Sequence, residues 1–318
     1  MNNVSSKHHC LVCGEEQPCK PVASMTEKYV AIKCDKCHLA SAYPIPSLDE
    51  LNDYYSSYNT TQETPERLST LVELNQVILE HIVAQMEGKD NLSFLDYGFG
   101  VGAFLKQVVK KGFSAYGVEF STQNCEQLQK YCRENKVVID TIKIPEESLD
   151  FSGKKFDCIT LFQVIEHVVD PLELLASLSS LQNPGGILYL ECPNNDALYL
   201  KVKNLIRKKV GREAFFDSLN PPQHLYGFNR RSMRILLDRA GYTPIEVGDY
   251  FFADGVHQVE TQFWYPSLLE VLQNKNSWNF YGISKFLIKF FDFPASKILG
   301  AGGGLYALAR KKSSEFTC

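Results

Sequence analysis

Apolar positions in this chain alternate between two periods. Short apolar runs of strand length stand at 92–95, 115–118, 137–139, 156–162, 187–191, 245–250 and 305–309. Between them lie stretches in which apolar residues recur every three or four positions, as on a helix with one buried face. Residues 67–86 place Leu71, Leu74, Ile78, Ile82 and Val83 on one such face, and Phe104, Leu105, Val108 and Val109 form another. Ser121 is placed to cap a helix reaching about residue 135, with Cys125, Leu128 and Cys132 inside. Asp170 caps and Pro171 opens a helix that buries Leu174, Leu175, Leu178 and Leu181, and a further helix covers 232–240. Strands and helices alternating at these lengths predict a doubly wound α/β fold, with ligands at the carboxyl ends of its strands.

The densest signal lies between residues 92 and 119. The first strand ends in Asp96, a turn carries Gly98, Gly100 and Gly102, a helix closes at Gly112, and the next strand ends in Glu119. Strand, glycine turn, helix, strand, acid is half of a nucleotide-binding unit. Glycine serves where the backbone turns sharply and must approach a ligand without a Cβ. An acid at the second strand end can accept both hydroxyls of a ribose. Gly98, Gly100 and Ala103 also fit a dinucleotide pattern, which leaves a nicotinamide-dependent oxidoreductase as an alternative. Asp96 argues the other way, because a carboxylate there suits a cationic ligand better than a pyrophosphate. Asp140, read as the end of the third strand, is a candidate adenine contact.

Composition narrows the picture. At 318 residues and net charge −4, the chain holds one large domain and a small module, and its acidic balance argues against a nucleic-acid partner. The first residues carry no basic-then-apolar leader, and no apolar run is long enough to span a bilayer, so a cytoplasmic protein is expected. Ten cysteines then matter through their spacing. Cys10-x-x-Cys13 and Cys34-x-x-Cys37 are two knuckles that can hold one structural Zn²⁺ by four thiolates. His8, His9 and His38 are possible substitutes as ligands, and Cys19 is a bystander. The metal would supply much of the folding free energy of so small a segment. Ser47 and Glu50 then offer a capping box, ahead of connector aromatics Tyr54, Tyr55 and Tyr58 that suit packing on the next domain.

Taken together, Leu-Asp-Tyr-Gly-Phe-Gly-Val-Gly at 95–102, Tyr-Gly-Val-Glu at 116–119, Phe-Asp-Cys-Ile-Thr-Leu-Phe-Gln-Val-Ile-Glu-His-Val-Val-Asp-Pro at 156–171 and Asn-Pro-Gly-Gly at 183–186 resemble a class I S-adenosylmethionine-dependent methyltransferase. The resemblance covers roughly 70–250. It implies a Rossmann-like sheet whose strands 245–250 and 305–309 form an antiparallel edge, preceded by the zinc-binding module. The cysteine module resembles that of a subgroup acting on sugars, surface glycans and secondary metabolites. The implied organisation is a zinc module at 1–45, a connector at 46–66, a methyltransferase core at 67–250, an insertion at 251–303, and a last core strand and tail at 304–318. Asp96, Gly98, Gly100 and Gly102 would lie by the methionine part of the cofactor. Glu119 would hold the ribose, Phe120 would flank adenine, and Phe162 and Gln163 would line the sulfonium.

A small-molecule, sugar or lipid-linked glycan acceptor follows, with O-methylation favoured over N- or C-methylation. His224, with Tyr226 nearby, is the favoured general base, and His167 is a second candidate that can instead orient its loop. Small-RNA and ubiquinone-pathway O-methyltransferases use Glu-x-x-Glu-His and a later histidine to hold a divalent metal. Here the matching residues are Gln163, Glu166, His167 and His224, and the amide at 163 favours a metal-free site. The basic run Lys201, Lys203, Arg207, Lys208, Lys209 and Arg212 is either a solvated helix face or a surface for a phosphate-bearing acceptor. Residues 251–303 hold Trp264, Trp278, Phe286, Leu287, Phe290, Phe291 and Phe293; at 280–299 they suit internal packing, a twin subunit, or peripheral membrane contact. A zinc-bearing adaptor that keeps the fold without the reaction is the remaining alternative.

Overall fold

The computed structural model describes residues 7–18, 20–56, 65–86, 88–144, 151–209, 211–213, 216, 218–253, 256–258 and 302–313. Cys19, Tyr58, the side chain of Tyr55 and the aromatic segment 259–300 lie outside them.

The chain opens with a hairpin of β1 (Lys7–His9) and β2 (Glu16–Pro18), followed by β3 (Pro21–Ser24), β4 (Val30–Lys33) and β5 (Ala40–Tyr43). Helix α1 (Leu48–Ser56) begins in the expected box, where Ser47 and Glu50 side chains exchange bonds with each other's backbone amides. Helix α2 (Pro65–Ala84) leads into β6 (Ser93–Tyr97), α3 (Ala103–Lys110), β7 (Ser114–Glu119), α4 (Thr122–Asn135) and β8 (Asp140–Lys143). The second half runs β9 (Phe156–Phe162), α5 (Pro171–Ser180), β10 (Gln182–Pro193), α6 (Leu198–Lys209), β11 (Tyr226–Gly227), α7 (Arg230–Arg239), β12 (Tyr242–Ala253), β13 (Val256–Gln258) and β14 (Gly304–Lys311). Among these helices none is long and apolar enough to cross a membrane.

Among the described residues the main sheet has the order β13-β12-β14-β10-β9-β6-β7-β8. β10, β9, β6, β7 and β8 are parallel neighbours, whereas β14 runs antiparallel between β10 and β12. This is the Rossmann-like sheet with an antiparallel edge that the resemblance implies. Side chains alternate between two cores, as a pleat requires. Phe94, Cys158, Ile187, Tyr189 and Leu308 face α2, α3 and α4. Leu95, Ile159, Leu188, Leu190 and Ala307 face α5 and α7.

The second core also takes in Cys10, Val12, Cys34, Cys37 and Leu39. The cysteine module is therefore built onto the large core rather than standing apart from it. Its strand β5 pairs antiparallel with β11, with Ser41 opposite Tyr226 and Ala40 opposite Gly227.

One strand boundary differs from the sequence reading. The third parallel strand starts at Asp140 instead of ending there, and Val138 is 77% exposed. The cause is the end of α4: Lys136 takes a left-handed conformation (φ 55°) and Val137 N–H still bonds Cys132 O, so the strand forms only after this cap.

Candidate active site and cysteine cluster

The carboxyl ends of β6, β7, β9 and β10 meet at one edge of the sheet, and the cofactor candidates gather there. Gly98 has φ 80°, and a Cβ on it would lie 2.6 Å from Val164 Cγ2, so the loop after β9 packs directly over the glycine turn. Gly100 also has positive φ (53°), but a Cβ there would meet nothing within 4 Å. The turn thus closes on its β9 side and stays open at Gly100, as a backbone cradle must. Gly102 N-caps α3.

Glu119 is buried and organises this turn. Its Oε2 accepts from Gly100 N at 2.7 Å, and its Oε1 accepts from Phe120 N at 2.8 Å and Ser121 N at 2.9 Å. The following residue, Phe120, is 55% exposed and free to lie against a flat ligand. Asp96 is buried and accepts from the Thr160 hydroxyl at 2.8 Å. Burial pushes its carboxyl up to about 7; the Thr160 bond opposes this and the Glu119 charge adds to it. Phe162 is half-buried, with its ring 5.1 Å from Phe104 and 5.8 Å from Tyr189.

Gln163 takes φ 56°, which is rare for a residue with a side chain. Its amide donates to Glu191 O at 3.0 Å and its side-chain Nε2 donates to the Tyr250 hydroxyl at 3.1 Å, and these bonds hold it there. Thr160 and Tyr250 are supporting residues that the sequence reading missed. Thr160 sits in an apolar strand with no local signal, although its β9 position beside Asp96 could have suggested it. Asp140 does not reach the site edge: it lies in register with Tyr116, three positions short of Glu119 opposite Lys143.

The acceptor candidates form a second cluster. His167 and His224 meet edge to face, with ring centroids 4.6 Å apart. One ligating atom from each of Glu166, His167 and His224 lies within 4.8 Å of the others. His167 Nδ1 donates to Gln223 O at 3.0 Å, which leaves Nε2 as the acceptor in the neutral ring. Burial, together with the nearby His224, lowers the His167 pKa to about 4. Burial also lowers His224, against a hydrogen bond to the Ser218 backbone; its Nδ1 is buried without a hydrogen-bond partner. Both rings are therefore neutral near pH 7 and each carries a lone pair. Glu166 is fully buried and neither carboxylate oxygen has a hydrogen-bond partner. Burial raises it to about 8.

Tyr226 is corrected. Its side chain is buried and its hydroxyl donates to Val169 O at 2.7 Å, so the proton a catalytic tyrosine would offer is already committed to the backbone. It braces the His224 loop.

In the module, Cys10 Sγ lies 3.6 Å from Cys37 Sγ, and Cys13 Sγ lies 3.5 Å from Cys34 Sγ. All four sulfurs are within 4.8 Å of one another. Tetrahedral Zn–S bonds of about 2.3 Å put sulfurs about 3.8 Å apart, so the set fits such an ion. Each knuckle closes on a left-handed residue, Gly14 (φ 74°) and His38 (φ 62°). A hydrogen bond from the Cys37 thiol pulls Cys10 down to about 5.

The comparisons with known proteins speak to the family and the fold. A family profile described as "Methyltransferase domain" matches residues 72–247. The ubiquinone biosynthesis O-methyltransferase of Histophilus somni is 32% identical over 127 residues, covering 38% of this chain and 53% of that protein. The chain thus spans about half the length of that relative. The protein of the same name from Colwellia psychrerythraea is 26% identical over 185 residues, 54% of this chain and 75% of the relative. Among solved structures, a chain in the complex between the Haloferax volcanii Trm112 methyltransferase activator and a methyltransferase shares the fold. It has TM-score 0.50 and 13% identity, over 84% of this chain and 98% of that one. With the profile spanning more than half of its residues, the chain belongs to the methyltransferase-domain family.

Proposed function

We propose that this protein transfers a methyl group from S-adenosylmethionine to a hydroxyl of a small molecule, with His224 taking the hydroxyl proton. The observation that carries the reading is the meeting of His167 and His224 beside the loop that packs over the glycine turn. Bound S-adenosylmethionine supplies an electrophilic methyl on a sulfonium. Asp96, the turn at Gly98, Gly100 and Gly102, Glu119 and Phe120 would hold it, with Phe162 and Gln163 nearest the sulfonium. The chain's own contribution is then largely positioning, since an in-line displacement needs the acceptor aligned. His224 Nδ1, neutral and unpartnered, is the natural proton acceptor. His167 orients the acceptor side through its bond to Gln223 O.

O-methylation is supported by the similarity to ubiquinone biosynthesis O-methyltransferases. A sugar or lipid-linked glycan acceptor carrying phosphate is supported by exposed Lys201, Lys208 and Lys209 on α6. We further take Cys10, Cys13, Cys34 and Cys37 as the ligands of one structural Zn²⁺. A second reading is favoured by the two oxygens of Glu166, which accept no hydrogen bond and lie beside His167 Nε2: with His167 and His224 they would hold a divalent cation, which would lower the pKa of an acceptor hydroxyl.

Calorimetric titration with S-adenosylmethionine, S-adenosylhomocysteine and NADH tests the cofactor assignment, and NADH binding alone would refute it. Release of S-adenosylhomocysteine from a panel of phenolic, sugar and glycan acceptors, with and without Mg²⁺, then tests the acceptor class and the second reading. Metal analysis should find about one zinc per chain.

A further inference from the structure

The loop that carries His224 is joined to the cysteine module by backbone bonds. Ala42 N–H, in the last strand of the module, donates to Leu225 O at 2.9 Å. Leu225 N–H donates in turn to Glu166 O at 2.8 Å. One buried residue next to His224 therefore bonds the module on one side and the residue before His167 on the other. The Tyr226 hydroxyl fastens the same turn to Val169 O at 2.7 Å.

The first knuckle is tied from α7, where Arg239 Nη1 donates to Leu11 O at 2.9 Å and Val12 O at 2.8 Å. Asn229 Nδ2, at the start of the same helix, donates to Cys37 O at 3.3 Å in the second knuckle. Leu225, Tyr226, Phe228 and Met233 share one core with Cys10, Cys34 and Cys37. The glycine turn is held differently, by Gly98 N–H to Val118 O at 2.8 Å and Gly100 N–H to Glu119.

From this asymmetry we infer that the four-cysteine module is the positioning element of the acceptor side. Its folded state sets where His224 stands against His167 and Glu166, while the cofactor side is held by its own local bonds. The inference rests on the proposed role of the two histidines and gives the module a part in the reaction without placing it in contact with substrate. Among the described residues between β10 and β11, α6 is the only regular helix or strand; a bridge closes the His224 turn on itself, with His224 N–H donating to Asn220 O at 3.1 Å, and the bonds through Leu225 are what fix that turn against the module and Glu166. Local opening is governed by such bonds and by the apolar contacts around them. Loss of the knuckles removes both.

The test is hydrogen–deuterium exchange on the full chain, before and after treatment with a zinc chelator, and on Arg239→Met. Peptides covering 218–229 should exchange faster by on the order of tenfold or more, while 92–105 stays within about twofold. Affinity for S-adenosylhomocysteine should hold, and the imidazole resonances of His167 and His224 should move. Unchanged exchange at 218–229, or equal acceleration at 92–105, overturns the inference. If the chelator releases no metal, the zinc assignment fails and Arg239→Met decides the inference alone. If His224→Ala keeps full turnover, the base assignment fails, whatever the exchange shows.

Discussion

Asp96→Asn should abolish a pH dependence of cofactor binding. Asp96 is buried at the end of β6, and its burial, partly offset by the Thr160 hydroxyl and reinforced by Glu119, raises its carboxyl from the ordinary carboxylate range to about 7. For stability the sign follows from the raised folded value. The contribution is fully present below about pH 4 and is lost as pH rises through about 7, because the native protein keeps a proton that the unfolded chain has released. For ligand binding the sign is reversed. The cofactor carries an α-ammonium group, which favours the ionised carboxylate. Below pH 7 binding must first remove the proton, so apparent affinity should fall about tenfold per pH unit, or about 1.4 kcal/mol. Asparagine cannot ionise, so Asp96→Asn should bind more weakly at pH 8 and show no slope. Calorimetric titration with S-adenosylhomocysteine at pH 6, 7 and 8 measures this. Urea unfolding in parallel should show the natural protein losing about 1 kcal/mol relative to Asp96→Asn between pH 6 and 7. A flat affinity profile for the natural protein, or an undiminished slope in Asp96→Asn, would refute the reasoning.

The remaining predictions concern the other groups at the two clusters. Glu119→Ala should weaken S-adenosylhomocysteine binding by about 100-fold or more, since it removes a ribose acceptor and the partner of three backbone amides; Glu119→Gln, which keeps one oxygen, should fall between, and native affinity in Glu119→Ala would end the ribose assignment. His224→Ala should slow turnover on any acceptor found by about 100-fold or more while leaving cofactor affinity alone, as loss of a general base does. Tyr250→Phe should free Gln163 from its strained conformation, which steady-state kinetics would register as a lower kcat with the fold intact by circular dichroism. Cys34→Ser should lose the bound zinc and lower Tm by several degrees, since a ligand's loss removes binding free energy from folding; equal metal content and Tm would count against the cysteine site.

Much of the fold was legible in the sequence because its elements are locally consistent. Asp170 does accept from Leu172 N and Glu173 N ahead of Pro171, and Ser121 does accept from Asn124 N, caps worth about 1 kcal/mol each. The apolar run at 156–162 is the central strand it promised. The misreadings arise where tertiary contacts decide. Residues 137–139 are apolar but follow the Lys136 cap of α4 as irregular chain: Val137 still bonds Cys132 O, Val138 points to solvent, and only Ile139 is buried. Tyr226 stands two residues from His224, and sequence proximity suggested a shared role. Its hydroxyl instead goes to Val169 O, and its backbone pairs with Ser41.

The two halves of the candidate site differ in the same way, and the difference has a physical cause. The glycine turn and both acids of the cofactor half lie within residues 92 to 119, so glycine spacing and acid position announce it, although Thr160, Phe162, Gln163 and Val164 complete it from β9 and the loop after it. The acceptor half joins Glu166 and His167 to His224 across more than fifty residues; Leu225, beside His224, bonds Glu166 O and accepts from Ala42 of β5, and Asn229 and Arg239 of α7 hold the knuckles behind it. No local pattern encodes such a junction. The Glu166 carboxyl accepts no hydrogen bond there, with His167 Nε2 3.8 Å from its Oε1, and the Leu225 backbone bond and the core shared with the cysteines hold the chain around it. Changes in those surrounding residues can therefore move the acceptor geometry while the cofactor cradle, held by its own bonds, stays as it is.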